Sequence, residues 1–470
     1  MSKKLLIPII SCFTLLSADI LKSEATIGYE EWKLPKNEKL GMTHFGLLFN
    51  FTPNWYEGIE IYGASRGKRG GFFALGVDSG LKTNFSKYID LKSGIFIGAG
   101  GGGAAPQGGG LMLRPYVEML LKNKNFSIGI GASRVKFPNG NINSSQIYSS
   151  LYIPLYSKSK QSDISNYDEW NLLLKSGIYK VDSSSKTLSG KSIENMKWIG
   201  VELQKIYPNN LFTSISMSAA GGGASAGYME TFAGLGYQLK NKNIPIYLQF
   251  QSELGLGGGG KINSGGGALY RFRTGIYTNI YKDLTIGLEA SHLSSFNSKF
   301  KTDSLGVSLS YDSFYTLNAN SSAINLDIRL IEKSHLKAQT KQLKKHRVDM
   351  LGIAIDRYLN NYFYLTGQTF WAYKGKAGGY AEGLLGMGAK VSIYNKFNIW
   401  TEALIGAGGG GGVKTNGGAI LSANIGLSYK INKKLSLKIG TGYTKSLHKG
   451  LSTVDTTMQL EYKFNLFEKK

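Results

Sequence analysis

Apolar and polar residues alternate with a period of two along much of the chain. The segment Thr457–Leu466 sets Met458, Leu460, Tyr462, Phe464 and Leu466 on one face and Gln459, Glu461, Lys463 and Asn465 on the other. Leu421, Ala423, Ile425, Leu427 and Tyr429 alternate in the same way with Ser422, Asn424, Gly426, Ser428 and Lys430. Ile246, Leu248, Phe250, Ser252 and Leu254 do so with Tyr247, Gln249, Gln251 and Glu253. A strand of a soluble sandwich runs for about 5–6 residues. These runs reach about ten, enough for a tilted strand to cross the hydrocarbon core of a bilayer. The pattern therefore predicts strands with one face towards lipid.

The pattern also repeats. Gly tracts at Gly100–Gly103, Gly257–Gly260 and Gly408–Gly412 begin 157 and 151 positions apart. Each is followed by a short spacer, a second Gly tract and an alternating strand, and each is preceded by a related block: RGGFFALGVDSGLK, SAGYMETFAGLGYQLK or KAGGYAEGLLGMGAKV. An internal triplication follows, with units of about 26–165, 166–318 and 319–467. About seven strands are recognisable in each unit. Thr26–Leu34, Asn171–Val181 and Ile324–Ile331 add one apiece, for about 24 in all and a range of about 18–24. An even number per unit keeps successive repeats in the same direction across the membrane.

Lipid-facing strands cannot leave backbone groups unpaired, so the sheet must close. The expected fold is a single large antiparallel transmembrane barrel. Three tandem eight-stranded barrels are the alternative, since eight is the smallest common size. Turns such as Pro53-Asn54-Trp55, Asn360-Asn361-Tyr362 and Asn432-Lys433-Lys434 alternate with longer Gly-rich or Ser/Asn-rich links. Short turns on the periplasmic side and longer loops outside would leave both termini in the periplasm.

The N-terminus reads as a secretory signal. Lys3-Lys4 precede the apolar run Leu5–Leu16, and small residues allow cleavage after Ala18 or Ala25, giving a leader of about 1–25 and a barrel of about 26–467. Cys12 follows Ile9-Ile10-Ser11 as in a loose lipoprotein site, and is the only Cys of the chain, so cleavage would leave a cysteine-free protein. No apolar run of about 18 residues occurs beyond the leader, which excludes helical spans.

Among the 470 residues, 62 are Gly, about 13 per cent against a usual share of about 7 per cent. Gly255–Lys261 fits the opening of a phosphate-binding loop, but Ile262 stands where Ser or Thr should hold magnesium, and a strand follows where a helix is needed. The glycines are expected instead to bend or twist strands at the outer rim, as three similar inward-leaning hairpins. No cofactor or metal is expected.

Taken together, these features resemble bacterial outer-membrane β-barrel proteins as a class. The resemblance is sharpest at Leu460, Tyr462 and Phe464, which look like the terminal strand that the barrel-assembly machinery of that class reads, although the chain continues to Lys470. It implies residence in the cell outer membrane, contact with lipid and lipopolysaccharide, and passage through the periplasm.

If apolar side chains face lipid, Asp90, Lys92, Arg114, Glu118, Glu230, Glu253, Arg271, Arg273, Glu382 and Glu402 point to the lumen. The cations among them could bias conduction towards anions, or the set could simply brace the wall. Phe72, Tyr228 and Tyr380 fall at matching positions on the same inward face. The formal net charge is +24. Part of the excess lies in expected outer loops, at Arg66, Lys68, Arg69, Lys341, Lys344, Lys345 and Arg347, where a surface polyanion such as lipopolysaccharide would be a suitable partner. Nucleic acid is not an expected partner for an envelope protein.

The segment Ser291–Asn297 resembles the last hairpin of outer-membrane lipid A deacylases, in which His-x-Ser supplies base and nucleophile. The pair here would be His292 and Ser294. That family's acid should lie about fourteen residues after the His, where this chain has Gly306. The sequence thus favours a pore or translocation channel with a polar lumen and no enzymatic role. A structural or assembly component docking a periplasmic, lipoprotein or surface partner is the alternative, and the hydrolase is a minor one. Substrate and oligomeric state are not legible.

Overall fold

A computed structural model describes residues 22–465, apart from residues 124, 156–168, 208, 241–243, 282–283, 312–324 and 341–343. It is all β. The first eight strands are β1 (Lys22–Lys33), β2 (Lys39–Thr52), β3 (Trp55–Arg66), β4 (Phe73–Asn84), β5 (Ile89–Gly101), β6 (Leu111–Lys122), β7 (Ser127–Lys136) and β8 (Asn143–Leu155). The next eight are β9 (Glu169–Val181), β10 (Met196–Ile206), β11 (Leu211–Gly222), β12 (Met229–Lys240), β13 (Ile246–Gly258), β14 (Ala268–Tyr281), β15 (Leu284–Ser295) and β16 (Lys301–Tyr311). The last eight are β17 (Asn325–Gln339), β18 (Lys345–Tyr358), β19 (Phe363–Lys374), β20 (Ala381–Tyr394), β21 (Phe397–Gly409), β22 (Ala419–Lys430), β23 (Leu435–Ser446) and β24 (Ser452–Asn465).

These strands form three separate closed barrels, which overturns the expectation of one cylinder. β8 turns back onto β1, with Glu30 opposite Tyr148 and Ser23 opposite Leu155. β16 closes on β9, and β24 on β17. The tandem alternative describes the fold. The strands assigned from the sequence as joining one repeat to the next, at Asn171–Val181 and from Ile324 onward, are the first strands of the second and third barrels; Ile324 itself lies outside the described residues. Alternation could not reveal this, because a strand shows the same oil-and-water pattern in a narrow barrel as in a wide one.

The side chains are arranged inside-out relative to a soluble protein. Outward-facing Ile276, Leu288, Leu305 and Ile425 are 53–74% exposed, while the intervening polar residues are buried within the barrel. Full backbone pairing around each ring meets the demand of a medium that cannot hydrogen-bond. Among the described residues, no helix is long and apolar enough to cross a membrane.

The connections sort to two ends. The β1–β2, β3–β4, β5–β6 and β7–β8 loops lie at one end of the first barrel, and the short turns lie at the other with the N-terminus. The second and third barrels follow the same plan, and loops from the first of these ends touch across barrels, so all three point the same way.

Candidate functional site

Three regions carry chemistry: the barrel interiors, the glycine-rich end where the barrels meet, and the outer surface of β15 and β16.

An eight-stranded barrel is just wide enough for side chains to fill, and here they fill it in pairs. In the first barrel Arg114 donates to Glu30 through Nε (3.0 Å) and Nη2 (2.9 Å), and Trp32 Nε1 donates to the same carboxylate at 2.6 Å. Lys92 lies over the rings of Tyr56 (4.2 Å) and Tyr152 (4.5 Å) and donates to Tyr152 Oη at 3.1 Å. Asp90 pairs with Lys122 at 2.5 Å, and Glu118 accepts from Tyr152 Oη at 2.6 Å.

In the second barrel Arg271 bridges Glu253 (2.6 Å) and Glu230 (2.9 Å). Arg273 pairs with Glu202 and with Glu253 (3.3 Å), and Lys175 holds Glu202 (2.7 Å) and Glu289 (3.0 Å). In the third, Arg329 bridges Asp356 (2.7 Å) and Glu402 (2.8 Å), and Lys333 reaches Glu382 at 2.8 Å. His335 sits between Glu382 (2.6 Å) and Asp455 (2.5 Å).

The residues assigned to a lumen therefore lie inside three different barrels, engaged with partners that the sequence did not single out, chiefly Glu30, Glu202, Arg329 and Lys333. Arg114, Arg271 and Arg329 are 0–2% exposed, so no water-filled passage reaches them. Phe72, Tyr228 and Tyr380 are buried at the glycine-rich end of their barrels; Phe72 meets Trp32 edge-on, and each tyrosine hydroxyl donates to the glutamate two residues on. Among the described residues, no group of His, Cys, Asp and Glu is arranged to hold a metal.

Within the Gly tracts, Gly102, Gly259 and Gly410 pack on a loop of their own barrel, at Gly71, Gly227 and Gly379, while Gly101, Gly258 and Gly409 meet a neighbouring barrel. The β3–β4 loop of the first barrel meets the β13–β14 loop of the second, where a Cβ on Gly71 would fall on the backbone of Gly258 and Gly259. The β11–β12 loop of the second meets the β21–β22 loop of the third, with Gly227 against Gly409 and Gly410. The β19–β20 loop of the third returns to the β5–β6 loop of the first, with Gly379 against Gly101 and Gly102. Gly71, Gly227 and Gly379 have φ of +83°, +91° and +85°, a left-handed backbone that, with the close approach, explains why all three are glycine. Gln107 Nε2 donates across the third contact to the Gly378 carbonyl at 2.8 Å. Beneath that contact Leu75 and Ala99 of the first barrel pack with Trp371 and Tyr373 of the third.

Around this hub, Arg66, Lys68, Lys344, Lys345 and Arg347 are exposed, Arg347 with its Nε held by Asp349 at 2.6 Å. Arg69 is engaged within its own barrel, where it clamps Glu38 through Nε (2.7 Å) and Nη2 (2.6 Å) and donates to the Ala104 carbonyl at 2.7 Å. Lys341 lies outside the described residues. At the opposite end of β24, Leu460 is half-buried and Tyr462 buried, while Phe464 pairs through its backbone with Leu326.

On the second barrel, His292 faces outward and its Nδ1 lies 2.7 Å from Asp303 Oδ1. The two residues are direct cross-strand partners of β15 and β16. Ser294 is two positions along β15, on the same face. The next strand presents Tyr270 and Phe272, which with Phe296 and Leu254 line an open apolar groove. Counting along the chain led to Gly306 and missed Asp303; the signal that would have found it is hairpin register, which sets residues opposite one another at a spacing fixed by the turn.

No known protein family and no curated protein matches the chain. Similar solved structures include Pseudomonas aeruginosa OccK11 (OpdR), 11% identical with 95% of this chain and 96% of that one covered and a TM-score of 0.22. KdgM porin is 10% identical, with 63% of this chain and 99% of that one covered and a TM-score of 0.17. A structure from the de novo design of transmembrane β-barrels is 12% identical, with 31% of this chain and 98% of that one covered and a TM-score of 0.22. These likenesses concern barrel architecture alone. Closed barrels with an outward apolar belt are the arrangement that lets β-strands cross a membrane.

Proposed function

We propose that this integral outer-membrane protein is a scaffold of three filled barrels whose glycine-built end presents a docking face to the cell exterior. The observation that carries this reading is the burial and pairing of the interior charges. The case for a wide channel rested on a single cylinder of about 24 strands, and each eight-stranded barrel instead packs its own axis with ion pairs and aromatic rings. The exposed cations Arg66, Lys68, Lys344, Lys345 and Arg347 make that face suited to phosphate-bearing polyanions, lipopolysaccharide among them. Leu460, Tyr462 and Phe464 serve as the assembly signal. Planar-bilayer recording of the purified full-length protein tests the reading: it should give no conductance steps above background and should co-purify with an envelope partner. Reproducible single-channel steps would restore the channel.

A second reading is favoured by one contact. Asp303 orients His292 through Nδ1, which leaves Nε2 to act as base towards a hydroxyl such as that of Ser294, and the adjoining groove suits an acyl chain. Ser294 would attack an ester carbonyl of an outer-leaflet lipid, passing its proton through His292 to the leaving alcohol, and water would then release the fatty acid. The first and third barrels place Arg134 and Lys136, or Thr444 and Lys445, near the matching position, so the constellation belongs to the second barrel alone. Fatty-acid release from lipid A vesicles, lost in both Ser294→Ala and His292→Ala, would establish it; equal release by the variants would remove it.

A further inference from the structure

We infer that the three barrels are held together as a closed ring by the glycine contacts at the hub, and that the two connectors at 156–168 and 312–324 are not needed once the ring has formed. The contacts are cyclic. The loop after the third strand of each barrel meets the loop after the fifth strand of another: the first on the second, the second on the third, and the third on the first. This is the head-to-tail type of interface, used three times with the rotation that closes, and a ring so formed gains a third contact at no further cost in freedom. Lipid offers no hydrophobic drive for one barrel to leave it for another, so association in a membrane depends on close packing, which small residues permit. Glycine supplies that closeness here.

Three positions isolate the interface from the fold. The nearest atoms that an added Cβ would meet belong to another barrel: at Gly70 to Ser264, Gly266 and Gly267 of the second, at Gly378 to Gln107 and Gly108 of the first, and at Gly409 to Ala226 and Gly227 of the second. None of the three has the left-handed backbone of Gly71, Gly227 and Gly379. The closest clash of a larger residue at these sites is thus with the neighbouring barrel. Each of the three contacts is represented once.

The test uses the full-length chain with a protease site placed in each connector. After folding in the membrane and cleavage of both sites, extraction in mild detergent should give a single species with the native-gel mobility of uncut protein. The same cut chain carrying Gly70→Val, Gly378→Val and Gly409→Val should lose that species and yield three smaller ones, each still shifting on heating as a folded barrel does. Separation of the cut chain with its glycines intact would overturn the inference, and so would a cut variant that stays whole. Should the variant fail to fold, the cut wild-type chain decides the matter.

Discussion

Replacing Arg271 with Met removes the cation between Glu230 and Glu253 while keeping a long side chain in the space. Arg273 still reaches Glu253 at 3.3 Å, so that carboxylate retains a partner. Glu230 does not: among the described residues, its remaining contacts are the hydroxyls of Tyr179 (2.5 Å), Tyr228 (2.7 Å) and Ser218 (2.8 Å). Removing one partner of a buried ion pair costs about 3–5 kcal/mol, because the other charge is left uncompensated in a low dielectric. Three hydroxyl donors offset part of this, which sets the expectation for Arg271→Met near about 3 kcal/mol. Adding Glu230→Gln should recover most of the loss, since the buried group is then neutral and still hydrogen-bonded. Reversible urea unfolding in detergent micelles, followed by tryptophan fluorescence and by mobility with and without heating, measures both changes. A loss below about 1 kcal/mol, the range of solvent-exposed pairs, would mean that water screens Glu230, and the filled interior would be refuted.

Other outcomes follow from the same geometry. Ser23–Ala25 of β1 pair with both β2 and β8, so cleavage after Ala18 preserves the strand and cleavage after Ala25 would remove the first rungs of its ladder; sequencing of the mature N-terminus should read Asp19 rather than Thr26. Leu288 lies mid-strand on the lipid face, and Leu288→Arg should destabilise the second barrel by about 2–4 kcal/mol in the same unfolding assay, whereas Leu288→Phe should be nearly silent. Substituting Arg66, Lys68, Lys344 and Lys345 together with Ser should weaken retention of lipopolysaccharide by about 1 kcal/mol per cation at low salt without altering unfolding. Arg69→Ser should do the reverse, lowering stability through the lost Glu38 clamp.

Much of the fold was legible because lipid imposes a simple rule on each strand. Met458 and Ile425 had to face outward and Gln459 and Asn424 inward, whatever the strands did next, and the sheet had to close. The sites were less legible. Glu253 and Arg271 each stand in a recognisable alternating strand, but nothing along the chain says that they meet, and Glu30 and Arg114 lie on strands β1 and β6 of one barrel. His292 and Ser294 were visible as a local pair, while Asp303 joins them only through the β15–β16 register.

The sequence by itself determined the strands and their inward and outward faces, since these follow from residue type and a period of two. Tertiary structure alone decided where each ladder ends. Whether β8 bonds to β1 or to β9 depends on which closure lets Arg114, Arg271 and Arg329 reach carboxylates across a narrow interior, and on backbones that approach at Gly71, Gly227 and Gly379. Those are distances between remote segments, and no local pattern encodes them.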